Sequence, residues 1–343
     1  MSAGGGRSAA TATRGARSVG TALTVGLGMA MAVQARINGE LGRQIGDGFV
    51  AALLSFLGGL VLLVLLAVTW PGMRRGLGRV RAALRDQRSP HHHRQPYQLR
   101  PYHLLGGICG ALLVTSQGVT VATVGVAVFT VAVVAGQAVS SLLVDRAGVG
   151  PGGPQAITVA RVIGAALALA AVVLAVSDRL GAPADLWPAL LPALAGVGIA
   201  WQQAVNGRVG VAARRGGSPL AGMLPAALVN FVAGTLALLL AVAVEVVIRG
   251  LPDPLPAQPW LYLGGPLGVL FIGTATAIVP VTGVLLLGLG TVAGQLVGAL
   301  LLDLFLPAGG GHLTTTALAG TALTLVAITV IALPGRRREA DPV

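Results

Sequence analysis

Ten stretches of this chain are apolar and close to, or above, the length of a bilayer crossing: roughly 19–37, 48–69, 102–122, 124–144, 157–177, 187–206, 220–247, 260–279, 281–302 and 313–333. A hydrocarbon core about 30 Å thick takes about 20 helical residues at 1.5 Å each. Two junctions are tight. The apolar run is almost unbroken across Ala122–Val124 and again across Pro280, so each run is too long for one crossing. Gly125, Pro280 and Gly283 are the expected turn points. Charged residues make up only 10% of the 343 positions, where a soluble domain carries about 25%. The chain is therefore expected to be an all-α integral membrane protein, with the lipid bilayer as its solvent.

The first 18 residues, rich in Gly, Ser, Ala and Arg, read as a disordered cytoplasmic segment. With the first apolar run they imitate a signal peptide, but that run recurs inside the chain, which argues against cleavage. Residues 70–101 read as a basic cytoplasmic loop. It holds His91, His92 and His93, whose spacing is not that of a fixed metal site. The single cysteine, Cys109, excludes an intramolecular disulfide and reads as buried packing.

The chain also repeats itself. Gln34, Asn38, Gly39 and Gly42 match Gln202, Asn206, Gly207 and Gly210. Ser55-Phe56 and Gly59 match Asn230-Phe231 and Gly234. Gly106-Gly107 and Gly110 match Gly264-Gly265 and Gly268. Gly136-Gln137 and Asp145 match Gly294-Gln295 and Asp303. This divides the chain into a first five-helix repeat at 19–177, a linker at 178–186, a second repeat at 187–333 and a tail at 334–343. Five is odd, so the second copy enters the membrane from the opposite side, the inverted plan of many secondary transporters.

The arginines carry topology. There are 23 of them and no lysine. With both termini in the cytoplasm, nineteen lie in inside segments and four (Arg36, Arg43, Arg179 and Arg249) outside, a strong positive-inside bias. This accounts for the net charge of +12 without nucleic acid.

The pattern Gln-x3-Asn-Gly-x2-Gly occurs at Gln34–Gly42 and again at Gln202–Gly210. Phe-x2-Gly follows each copy, at Phe56–Gly59 and Phe231–Gly234, and Gly-Gln-x7-Asp closes each, at Gly136–Asp145 and Gly294–Asp303. In these features the chain resembles the YdcZ-type proteins of the drug/metabolite transporter superfamily, fused to double length. The resemblance spans roughly 20–333. It implies an EamA-like arrangement of ten helices in two inverted halves, and a transporter or exporter of the inner (plasma) membrane. It transfers no binding residues. The small multidrug transporters of that superfamily place a glutamate in their first helix, whereas residues 19–35 contain no acidic residue, which puts proton-coupled export of cationic drugs in doubt.

Polar side chains within apolar spans are costly and need a role. Gln34 and Asn38 lie four apart, on one face of the first span, and Gln202 and Asn206 repeat this in the sixth. Amides donate and accept hydrogen bonds, which suits neutral or zwitterionic solutes. The two pairs are read either as lining opposite ends of a central pathway or as capping helix ends before an Asn-Gly turn. Gln137 and Gln295 sit deeper and are pathway candidates or interhelical hydrogen-bonding groups, with Gln117 and Asn230 as further candidates. Asp145 and Asp303 close their spans and read as interfacial anchors or coupling carboxylates. Glu245 has Arg249 four residues on, an expected interfacial ion pair, and Arg161 is expected to reach toward headgroups.

No Walker A, HExxH, cysteine pair or GxSxG pattern is present. No catalytic residue, metal site or cofactor is expected. The coupling ion, proton or sodium, is left open. The expected function is a secondary carrier of a small solute, acting as a monomer or homodimer. The alternative is a non-transporting assembly or partner-binding component of the membrane.

Overall fold

The computed structural model describes residues 4–85, 99–176, 187–215, 217–218, 220–305 and 315–332. It is helical, with no strand among the described residues. The elements are α1 (Gly4–Ile45), α2 (Gly48–Thr69), α3 (Pro71–Arg85), α4 (Gly106–Arg146), α5 (Val159–Val176), α6 (Trp187–Arg214), α7 (Leu220–Arg249), α8 (Gly264–Phe305) and α9 (Thr315–Ala332). Three runs, Gly48–Thr69, Ala221–Arg249 and Pro259–Leu302, are long and apolar enough to cross a membrane by length and composition. The polarity is that of a protein solvated by lipid. Leu65, Leu236, Leu240 and Val247 are exposed, while Thr24, Gln202, Gln203 and Asn230 are buried.

α4 and α8 each join two expected spans. At 1.5 Å per residue, 41 residues in α4 and 42 in α8 would make rods of about 60 Å, twice the bilayer core. Neither is straight. In α8 the backbone leaves the helix at Gly283 (φ 76°, ψ 172°), a region that glycine enters freely, three residues after Pro280. Gly264 lies against Asn38, and Gly298, far along the same run, lies against Met29 and Ala32. The run has folded back along α1. α4 runs as one element from Gly106 to Arg146. Its start, at Gly106, nevertheless lies against Val205 and Asn206, while Gly148 and Val149, just past its end, accept hydrogen bonds from Arg208. Both ends therefore reach the same part of α6, and α4 doubles back between them.

Sequence-equivalent elements exchange partners. α1 packs along α8 as α6 packs along α4, α2 meets α7, and α5 meets α9. The closest approaches occur where glycines leave no side chain between backbones. Gly28 packs on Gly294, and Gly196 packs on Val133 and Gln137 beside Gly136. Likewise Phe231 lies on Gly59 and Phe56 lies on Gly234.

Three local expectations are corrected. α1 extends back to Gly4, where disorder was expected; residues 4–18 contain no proline, and extending a formed helix costs far less than nucleating one. The basic loop contains a helix, α3, whose Met73, Gly76 and Val80 are buried between α6 and α7. Arg79 on α3 donates to the carbonyls of Ala213 and Arg214 at the end of α6, where the last carbonyls lack partners within the helix. His91, His92 and His93 lie outside the described residues, as do the linker at 178–186 and the tail at 334–343. Finally, no turn follows Asn38 or Asn206. α1 runs on to Ile45, ending at Gly46 with φ 72°, and α6 runs on to Arg214.

The glycine contacts predict opposite outcomes for the same substitution. A methyl at Gly294 would overlap the Val25 carbonyl, whereas one at Gly39, within α1, meets nothing within 4 Å. Gly294→Ala is expected to lower the thermal unfolding midpoint in detergent, at a cost of about 1–3 kcal/mol or more. Gly39→Ala is expected to raise it slightly, by up to about 1 kcal/mol of helix propensity.

Candidate functional site

The amide-bearing faces of α1 and α6 meet at a cavity of about 80 Å³ between α1, α2, α4, α6, α7 and α8. Gln34, Asn38, Ser55 and Phe56 line it from the first half, and Gln202, Asn230 and Phe231 from the second. The two phenylalanines, equivalent in sequence, stack across its middle with centroids 5.1 Å apart and planes tilted by 39°. A Cβ at Gly110 would touch Phe56 and Gln202, and one at Gly268 would touch Phe231 and Gln34. Each glutamine thus sits beside the ring that comes from the other half.

Glycine again makes the room. Gly106 and Gly264 leave no side chain where the Asn206 and Asn38 amides reach, respectively. Gln34 Nε2 reaches across to the second half and donates to the Gly264 carbonyl at 2.8 Å, and within the first half Ser55 Oγ donates to Asn38 Oδ1 at 2.6 Å. Within the second half, Gln202 Nε2 and Asn206 Nδ2 both donate to Asn230 Oδ1 at 2.9 Å. None of the described residues lining the cavity is ionisable. A charged solute would lose its hydration there without a counter-charge.

This corrects one reading of the amides. They do not cap helix ends, since both asparagines lie inside their helices. Gln34, Asn38 and Gln202 line one cavity, and Asn206 joins through Asn230. Gln137 and Gln295 lie elsewhere. Gln137 packs against Gly288 beside Ser141, and Gln295 Nε2 lies 3.4 Å from the sulfur of Met31. Met31 lines the cavity, so Gln295 stands one residue removed from it. The side chains of Gln117 and Asp303 lie outside the description. Ser55 and the phenylalanine pair were not singled out as site residues, although the repeat block Ser55-Phe56 and Asn230-Phe231 marks them.

Asp145 is buried, not interfacial. Its Oδ1 accepts from Val284 N at 3.0 Å and its Oδ2 from Leu285 N at 3.2 Å. It therefore caps the helical segment that restarts after the break at Gly283, where the positive end of the helix dipole favours an anion. Arg161, expected to reach headgroups, instead makes an ion pair with Asp145. The cause of both corrections is the folding back of α8, which brings its turn over the end of α4. Glu245 does pair with Arg249, at 3.2 Å. Half-buried Cys109 packs on Gly198. Among the described residues no group of His, Cys, Asp and Glu could hold a metal ion.

The family described as "Putative inner membrane exporter, YdcZ" matches the chain twice, over residues 19–174 and 187–330. The chain belongs to the YdcZ family. The two matches correspond to the two halves that frame the cavity, so this is a double-length member of a family of membrane exporters rather than of enzymes. No curated protein matches the chain. A solved structure named only "Crystal structure of protein" is 19% identical, with the alignment covering 94% of this chain and 99% of that one at a TM-score of 0.58. That likeness is one of fold alone.

The Asp145–Arg161 pair predicts a stability test. Asp145→Ala strands a largely buried guanidinium and uncaps α8, at an expected cost of about 3–5 kcal/mol in detergent unfolding. Because no charge is left unpaired, the double variant Asp145→Asn with Arg161→Leu is expected to be less damaged than Asp145→Ala.

Proposed function

We propose that this chain is a secondary exporter that carries a small, uncharged or amphipathic solute by alternating access. Its ten crossings form two inverted five-helix repeats, with α4 and α8 each crossing twice. The observation that carries the reading is the cavity itself. It is framed by equivalent residues of both halves, holds amides and a hydroxyl, has no ionisable residue among those described in its lining, and is lined by the Phe56–Phe231 pair.

Such a site suits a carrier, because the solute is held between two halves that can move against each other. The elements that would slide touch through glycine: Phe56 on Gly234 and Phe231 on Gly59. In this mechanism the rings separate an outward from an inward half-cavity, and one set of amides is open at a time. The polar groups meet the solute as its own hydration is stripped, and apolar walls hold the remainder. Asp145 has its oxygens engaged by α8 and Arg161, so it is read as structural and not as the coupling carboxylate. A coupling proton or sodium would be held outside the cavity. One chain supplies both halves of the site, so a monomer suffices, and no cofactor takes part. Both termini are cytoplasmic.

The function is tested by comparing metabolites inside and outside cells that lack or overproduce the protein. Wild type is expected to move a compound from cytoplasm to medium. The double variant Asn38→Ala, Asn206→Ala, matched for membrane level, is expected to lose about tenfold or more of that flux, since removing Asn38 leaves Ser55 without its acceptor at 2.6 Å and removing Asn206 takes from Asn230 one of its two donors at 2.9 Å. A flat profile across growth conditions would overturn transport and favour the assembly reading. A C-terminal reporter that works only outside the cytoplasm is expected to stay silent, and activity from it would overturn the orientation.

A further inference from the structure

The two halves of the cavity are not equivalent in hydrogen bonding. In the first half the block carries Ser55, whose hydroxyl is used on Asn38. The second half has Asn230 in the same place, and its carbonyl accepts from both Gln202 and Asn206. Two carboxamides have thus converged on the oxygen of a third. What remains is one unused acceptor, Gln202 Oε1, and one unused donor, Asn230 Nδ2, both buried and without a partner. Gln202 is 3% exposed and Asn230 1%, and both side chains line the cavity. A buried polar atom without a partner is costly, and a pair of opposite sign in a cavity wall marks what is missing.

We infer that Gln202 and Asn230 form a polar subsite that recognises an uncharged group able to donate and accept at once, and that the solute class is small amphiphiles ending in such a group. A carboxamide is the fullest match, since its N–H can meet Gln202 Oε1 while its carbonyl meets Asn230 Nδ2. Phe56 and Phe231 contact the apolar remainder. The absence of ionisable lining residues excludes carboxylate and ammonium ends from the same position. The first half contributes Gln34, Asn38 and Phe56 to the facing wall, with its serine already bonded to Asn38.

This inference rests on the transport reading of the same cavity, and the test separates the two. Purified full-length protein in lipid nanodiscs is titrated with propionamide and with butanone, which differ by NH2 for CH3, and binding is read by saturation-transfer NMR. Wild type is expected to bind propionamide about tenfold or more tightly than butanone, because the ketone leaves Gln202 unsatisfied. The preference is expected to fall below about threefold in Asn230→Ser, which installs the residue that the first half carries, and in Gln202→Met, which keeps the length and removes the amide. Gel filtration and helical circular dichroism report folding, and if one variant fails to fold the other decides. Equal binding of the two probes by wild type, binding of neither, or a preference that survives in a folded variant would overturn the subsite. Proteoliposome flux of the same probes answers the other question. Amide-selective binding without flux keeps the subsite and removes the carrier reading. Flux of both probes without selectivity keeps the carrier and removes the subsite.

Discussion

Backbone approach through glycine is the constraint on which the rest of this structure depends. In lipid, helices gain nothing from hiding apolar surface from one another, so association relies on close packing and on hydrogen bonds between helices. Where Gly28 meets Gly294, and where Gly196 and Gly136 sit among Val133, Gln137 and Ala193, added methyls would overlap backbone. These contacts are reciprocal. The first helix of each half packs on the re-entrant run of the other, α1 along α8 and α6 along α4. Neither half completes its own packing, and so the cavity forms at their junction and not within either one.

Close approach also explains why amides can be placed there. A buried carboxamide needs partners for both its oxygen and its nitrogen. Gly264 and Gly106 bring backbone and side chain close enough to supply them, and Gln34 finds a carbonyl on α8 at 2.8 Å. The phenylalanines pack on each other beside the cavity, each also seated on a glycine of the opposite half.

Much of this was legible in the sequence, and what was not has physical causes. The length of the apolar runs and the duplicated motifs gave the class, the two halves and the equivalence of Gln34, Asn38, Gln202 and Asn206. The turn at Gly283 was readable because glycine follows proline there. Three things were not readable. Asn-Gly is a turn signal in water, but Asn38 and Asn206 sit mid-helix because tertiary partners, Ser55 and Asn230, take their side chains. α3 lies in a segment whose net charge suggested a loop; its three buried positions, Met73, Gly76 and Val80, are too few to stand out from five arginines. Asp145 looked interfacial because a span ends there. Only the folding back of α8 places Val284 and Leu285 over it, and chain order carries no trace of that contact.

The departures from symmetry say more than the symmetry. Inverted repeats make a site that looks alike from both sides, and a carrier with two identical half-sites would grip its solute equally facing either way. Here the equivalents differ where the chemistry lies. Serine in one half faces asparagine in the other, so a hydroxyl meets one amide on one side while two amides converge on a third on the other, leaving a buried acceptor and a buried donor there. Arg161, close after Asp145, ties down the end of α4, while the helical restart after Gly283 is held by the same carboxylate. The ion pair and the cap at this one residue thereby join the first half to the second. Fusion into one chain is what lets the two copies of each motif diverge, and Ser55 against Asn230 is where that divergence lines the cavity.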